Sequence, residues 1–353
     1  MRNRVQERTR QEKVFRAKRR TKRIAKKHNI RKCLRRRHKK LSLAKSSYSN
    51  RFRSTVTKIQ LPYDFRLLGN TEVVLKTISD FESTTRRISN NRHRIYLDLS
   101  TVQCFDVAAL DMLLAVINSI KDIPVLGNYP RNRTCREFFI ESGFLDHMNS
   151  IQGKKPEKKN KNNMMIERGF DKTSNKRIGE EVRHAVKHLT GEDNSYRPVF
   201  SIIQEMCANS IEHANKKVYD KNWLVGIFYE KEKVIFTVID IGQGILSTLK
   251  KKAGQKLRDA IIAKGDVGTL IGAFDKKYQS STFDENRNKG LPRIKNTNKS
   301  NYIDSLKVIT NNVLLDFSDG NNNTLLKNRF RGTFYYWELT KNTIEQWRNR
   351  NTI

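Results

Sequence analysis

At 353 residues the chain is long enough for two domains with extensions, and its hydrophobic fraction of 37% supplies ordinary cores. Charge is the outlier: 71 Lys and Arg against 36 Asp and Glu give a formal +35, which points to a polyanionic partner, either nucleic acid or an anionic membrane surface, and says little about fold. No run of 18 apolar residues marks a membrane-spanning helix, the basic start lacks the apolar stretch of a secretory signal, and Cys33, Cys104, Cys135 and Cys207 form no CxxC pair or zinc-spaced set, so a reducing, cytoplasmic setting is expected.

Residues 1–50 hold 21 Lys or Arg against only Glu7 and Glu12, a net +19. Val5, Phe15, Ile24, Leu34 and a few others are too scattered to build a core. A basic arm over 1–56 is therefore expected, disordered or a solitary helix when free. Dense Lys/Arg suits phosphate neutralisation on DNA or RNA; a solvated tail and an anionic membrane contact are the alternatives.

Residues 57–150 alternate strand and helix signals, the mark of an α/β layer structure. "TKIQLP" is a short strand, and "NTEVVLKTISDFEST" carries Val74, Ile78 and Phe81 at helical spacing. "HRIYLDLS" places Ile95, Leu97 and Leu99 on one side of a strand. "DVAALDMLLAVINSI" is a strongly apolar helix, "IPVLGN" another short strand, and "TCREFFIESGFL" a helix ending near Gly143. Residues 151–176 are Lys/Asn-rich without periodicity and predict a linker.

From 177 the pattern resumes with two helices, "IGEEVRHAVKHL" and "RPVFSIIQEMCANSIEHAN". Two β-runs follow, "WLVGIFYE" and "KVIFTVIDIG". Residues 245–290 mix helix and loop, and three further β-runs, "SLKVITN", "NVLLDFS" and "GTFYYWEL", precede a tail at 341–353. This predicts a helical layer on a mixed, mainly antiparallel sheet over 177–340.

Within the second of these helices Glu205 and Asn209 are four apart and share a face, which Glu212 and His213 extend, while Ile203, Cys207 and Ala214 lie on another stripe. An amide oxygen can ligate Mg²⁺ and a nearby carboxylate can orient a water or hydroxyl, although the same row also suits a solvated helical face. Asp240 ends an apolar strand and is followed by Gly242 and Gly244; a carboxylate there can accept from a ligand amino group, and the glycines let backbone approach it. In "NRNKGLPRIK", Gly290 precedes a helix start whose N–H groups can bind phosphate, with Lys289 or Arg293 adding charge; a plain Gly turn is the alternative. Thr333 starts a strand after Gly332.

Together, in this order, the four stretches resemble the GHKL ATPases, the family of gyrase, the heat-shock-90 chaperones, histidine kinases and MutL, over about 145 residues. "EMCANSIEHA" is similar to the N box, "DIGQG" to the first glycine box, "NKGLPRI" to the second and "GT" to the final strand. The resemblance implies a Bergerat-type α/β sandwich binding ATP and Mg²⁺. It assigns Asn209 to Mg²⁺, Glu205 to activation of the attacking group and Asp240 to the adenine amino group. Gly242 and Gly244 would line the base pocket, Lys289 and Gly290 would face phosphate, and Thr333 would support the adenine end. The second box departs from its usual GxGL pattern, with Asn288 in place of the first Gly and Pro292 after the Leu, so ATP binding is the firmer expectation and hydrolysis the weaker.

"IYLDLSTVQCFDVAALDMLL" resembles a STAS domain, the fold of anti-sigma-factor antagonists, over about 90 residues. Where that family commonly has a phosphorylatable Ser or Thr after the Asp, this chain has Val107, which cannot accept phosphate. His184 and His188 lie too close before Glu205 for a sensor-kinase phosphoacceptor arrangement and are expected on the surface or in packing. The expectation is an ATPase whose lid, residues 245–290, couples nucleotide state to a protein partner at the STAS-like domain and to a polyanion at the arm, with a homodimer compatible. The alternatives are an anti-sigma-like serine/threonine kinase and a non-catalytic nucleotide-gated module.

Overall fold

The computed structural model describes residues 55–88, 93–120, 123–148, 164–169, 175–213, 223–251, 255–277, 290–318 and 322–351. The basic arm, Lys289 and most of the linker lie outside these residues. Val56–Ile353 form one compact unit, of mixed α/β class. None of its described helices is long and apolar enough to cross a membrane.

The amino-terminal portion runs β1 (Thr55–Gln60), β2 (Asp64–Phe65), α1 (Thr71–Arg87), β3 (His93–Asp98), β4 (Cys104–Phe105), α2 (Val107–Ser119), β5 (Val125–Gly127) and α3 (Arg133–Glu141). A sheet of order β1-β3-β5 forms, with β3 and β5 parallel, beside a small parallel pair of β2 and β4. Helix α2 begins where Asp106 caps it: Oδ1 accepts from the Ala109 N–H at 2.7 Å, and Oδ2 accepts from the Leu68 N–H at 3.1 Å. Asn132 caps α3 in the same way, accepting from the Cys135 N–H at 2.9 Å. Every residue of α2 from Val107 to Ile117 is buried, including Asp111. A helix apolar on all sides must be covered on all sides, and the amino-terminal sheet covers only one.

The other cover is the carboxy-terminal sheet. That portion runs β6 (Met164–Gly169), α4 (Asn175–Thr190), α5 (Arg197–His213), β7 (Trp223–Tyr229), β8 (Lys233–Asp240), α6 (Ile245–Lys251), α7 (Gln255–Phe274), α8 (Gly290–Lys299), β9 (Asp304–Asp316), β10 (Thr324–Thr340) and α9 (Lys341–Asn351). The strands form one five-stranded sheet of order β6-β7-β8-β10-β9. Every pairing is antiparallel, so the mixed sheet expected from the sequence is not what forms. Two expected boundaries also change. Met164–Gly169, inside the predicted linker, pairs with β7 as an edge strand, and the predicted tail is helix α9. The two runs "SLKVITN" and "NVLLDFS" are one strand, β9.

Both faces of this sheet are buried, and the period-2 alternation of side chains sorts them. Val234, Phe236 and Val238 of β8 pack with α4, α5, α7, α8 and α9, whereas Ile235, Ile239 and the following Ile241 pack with the amino-terminal core. Tyr335, Trp337 and Leu339 of β10 face the helices, while Phe334 and Tyr336 face the amino-terminal portion. In β9 the parity changes midway. Leu306 and Val308 before Asn311, and Val313 and Leu315 after it, all join the helical core. The shift is absorbed at Asn311, whose φ of 56° is left-handed, opposite the irregular stretch of β10 around Gly332.

Two polar contacts pin the layers together. The Thr237 hydroxyl of β8 donates to Asp111 Oδ2 of α2 at 2.5 Å, in the space above Gly226 of β7. A Cβ on Gly226 would lie 2.0 Å from that same oxygen, so only glycine lets the carboxyl in. At the start of α1, Glu72 accepts from the backbone N–H groups of Lys327 and Asn328 in β10, at 2.7 and 3.2 Å.

Candidate functional site

On the helical side of the sheet, α5 carries Ile202, Ile203, Met206 and Cys207 into the core. Its Glu205 and Asn209 are left half-buried on an adjoining face. That face meets the start of α8. A Cβ on Gly290 would lie 2.9 Å from Glu205 Oε2, 3.4 Å from Asn209 Nδ2 and 3.7 Å from Asn209 Oδ1, so the glycine lets the first turn of α8 close onto both side chains. Arg293, three residues into α8, donates from Nη1 to Glu205 Oε1 at 2.5 Å. Their side chains keep 53% and 27% of their surface exposed, so this is a half-solvated pair.

The second cluster forms at the end of β8. Asp240 pairs in register with Thr333 of β10. Its carboxyl accepts from the Thr333 hydroxyl, from the Thr333 backbone N–H and from the Gly242 backbone N–H. Burial outweighs these bonds and pushes its pKa up to about 7, although the side chain keeps some surface open. Near neutral pH this carboxyl can therefore exist as either acceptor or donor. A Cβ on Gly242 would lie 2.8 Å from Asp240 Oδ1. Gly332, at φ 139°, has its Cα face against the Asp240 carbonyl, where a Cβ would stand at 1.9 Å. Cys207 of α5 lies close enough to feel the Asp240 charge, and with burial as the larger cause its thiol pKa is pushed up. The helix that bears Glu205 and Asn209 packs on β8, the strand that ends in Asp240.

The turn after Asp240 is held by β9. The Ile245 N–H donates to Thr310 Oγ1 at 2.9 Å, and Asn311 Nδ2 donates to the Gln243 carbonyl at 2.9 Å and to Ser247 Oγ at 3.0 Å. Gly244 adopts φ 78°, and a Cβ there would lie 2.6 Å from Asn311 Oδ1. Farther along, α7 breaks at Gly265, where φ 63° and ψ −172° suit only glycine. Asp266 then ties this break to α6 through Lys250 at 2.5 Å and to β9 through Asn312 at 3.0 Å.

Of the residues singled out in the sequence, Glu205, Asn209 and Gly290 come together, and Asp240, Gly242 and Thr333 form a second group. Gly244 shapes the turn between β8 and α6, and Lys289 lies outside the described residues. His184 and His188 are exposed; His188 contacts the Glu230 carbonyl at 2.7 Å. Val107 is buried at the start of α2. Thr310, Asn311 and Gly332 were not singled out as site residues. For Thr310 and Asn311 the signal is the polar "TNN" inside an apolar strand run, and for Gly332 the glycine before Thr333. No protein-family model matches this chain, and no curated protein matches it in sequence.

Proposed function

We propose that the carboxy-terminal portion is a GHKL-type module that binds Mg-ATP on the helical side of its sheet, and that the amino-terminal portion is a STAS-like domain. The observation that carries this reading is the convergence of Glu205 and Asn209 on Gly290, from a helix that packs on the strand ending in Asp240. In this reading Asp240 accepts the adenine amino group, Gly242 and Gly244 shape the base end, and Thr333 orients the Asp240 carboxyl. The described residues contain no group of three or more His, Cys, Asp or Glu fit to hold a metal ion. A lone amide oxygen suits Mg²⁺, which keeps waters and takes most of its ligands from phosphate. Asn209 would hold it, and the ion supplies charge neutralisation at the phosphates when bound.

Glu205 is the group positioned to take a proton from a water as that water attacks the terminal phosphorus. The bond to the bridging oxygen breaks, and ADP leaves with its electron pair. The module acts in a cytosolic regulatory protein, with nucleic acid or another polyanion held by the arm. A protein partner of the amino-terminal portion must use a surface other than α2, which is already covered by the sheet. A serine/threonine kinase acting on a separate partner is the runner-up; the acceptor hydroxyl would have to come from that partner, since Val107 of the STAS-like motif carries none.

The test is Asp240→Asn in the full chain, titrated with Mg-ATP by calorimetry. Losing a charged acceptor is expected to weaken binding by about ten- to a hundredfold. Unchanged affinity would refute the base-end assignment, and turnover measured with and without DNA or RNA separates hydrolysis from gating.

A further inference from the structure

We propose that Arg293 is a phosphate-responsive latch on Glu205. It holds the carboxylate when no terminal phosphate is present and moves onto that phosphate when ATP binds. This rests on the nucleotide reading above and adds to it a means of telling ATP from ADP.

The geometry begins with the direction of a helical side chain, which leans back over the turn preceding its own Cα. For Arg293 that turn is the one opening at Gly290, so its guanidinium lies where Gly290 meets Glu205 and Asn209. The contact with Glu205 uses one nitrogen, Nη1, at 2.5 Å. A guanidinium has five N–H donors in a planar fork, so with respect to the described residues most of its capacity is open for a second acceptor. Arg293 also borders an open cleft of about 400 Å³ with Lys276, Asn296 and Tyr302. Its side chain is thus not packed into one position.

The relative strengths favour exchange. An ion pair between side chains this exposed shifts an equilibrium by about fivefold at most. A phosphate carries more charge and accepts the guanidinium fork through two oxygens, a contact worth roughly ten- to a hundredfold. Arg293 therefore leaves Glu205 when a terminal phosphate arrives in front of α8. The freed carboxylate can then accept a proton only in the ATP-bound state. ADP lacks that phosphate, so the latch stays on. Arg293 is a positioning residue in this scheme, and its signature is the ratio of ATP to ADP affinity.

The experiment is calorimetry of the full chain with Mg-ATP and Mg-ADP, using wild type, Arg293→Met, Arg293→Lys, Glu205→Gln and Asp240→Asn. Arg293 is half-exposed, so its replacement leaves the fold intact. Arg293→Met is expected to lower ATP affinity by roughly two- to a hundredfold, the phosphate contact less the up to fivefold saved on the Glu205 pair, while ADP affinity stays nearly unchanged. Arg293→Lys should keep part of the preference for ATP. Glu205→Gln should raise ATP affinity by up to about fivefold, because Arg293 no longer has to leave a carboxylate. Asp240→Asn should weaken both nucleotides alike. If Arg293→Met changes ATP and ADP binding equally, or changes neither, the latch is overturned while the nucleotide reading stands. Wild-type protein that binds neither nucleotide at millimolar concentration overturns the nucleotide reading, and the latch with it.

Discussion

Replacing Asp111 by Asn should make the protein more stable in alkaline buffer and less stable in acid below about pH 4. Asp111 sits in the middle of α2, fully buried, with Thr237 as its hydrogen-bond donor. Burial, assisted by the nearby charge of Asp106, pushes its pKa up to about 7 from the ordinary 3.8. The folded protein thus holds this proton more tightly than the unfolded chain does. Stability from this group is fully present below about pH 4 and is lost as the pH rises through about 7. Three pKa units correspond to roughly 4 kcal/mol, the cost of an ionised Asp111 near pH 8. Asn has the same shape and no charge. Its Oδ1 can accept from Thr237, but its amide N–H groups gain no partner, at a cost of about 1–3 kcal/mol. The variant is therefore expected to be about 1–3 kcal/mol more stable than wild type near pH 8. Below about pH 4, where Asp111 is neutral in both the folded and the unfolded chain, it should be less stable by a similar amount, with the two proteins crossing between about pH 4 and 7. Urea unfolding of both proteins at several pH values measures the difference, and because Asp240 titrates in both it drops out. A stability difference that does not change with pH would refute the buried, protonatable state of Asp111.

Gly226→Ala would place a methyl group 2.0 Å from Asp111 Oδ2. It is expected to cost roughly 1–3 kcal/mol or more in urea unfolding, part of it recovered on combination with Asp111→Ala, which opens the space; simple additivity would count against the close approach. Deleting residues 1–50 should remove most nucleic-acid affinity and leave nucleotide binding in place. In the intact chain that affinity should fall by roughly 10³–10⁵ between about 50 and 200 mM salt if about six to ten phosphates are contacted. Titration of labelled DNA and RNA against both proteins checks this, and equal affinity or no salt dependence would remove the arm's role.

Element positions were largely legible because apolar spacing and caps agree. Asp106 sits just before the apolar α2 and caps it, Asn132 caps the amphipathic α3, and Val74, Ile78 and Phe81 of α1 are all buried. The second buried face of the carboxy-terminal sheet is less plain from local spacing. The signal was present. "WLVGIF" and "VIFTVIDI" are continuous apolar runs rather than alternating ones, as strands covered on both sides read. An α2 without a polar face says the same from the other partner. The polar Thr310, Asn311 and Asn312 read as a turn that would split β9 in two, whereas the strand passes through them, with the left-handed Asn311 opposite the irregular stretch of β10. Glu205 and Asn209 were legible from their four-residue spacing. Their contact with Gly290 and Arg293, more than 80 positions later in the chain, is a product of packing that no local pattern encodes.

The sheet of the carboxy-terminal portion is a party wall. Strand β8 presents Thr237 to one room and Asp240 to the other, only three positions apart along one rigid strand. A boundary drawn at the linker would therefore cut through one compact unit. Residues 177–353 alone would expose Leu224, Ile235, Ile239, Phe334 and Tyr336 to water, while 56–150 alone would strip one side of α2. Any partner that prised α2 away would be competing with the protein's own back wall, and it would disturb the strand that ends in Asp240.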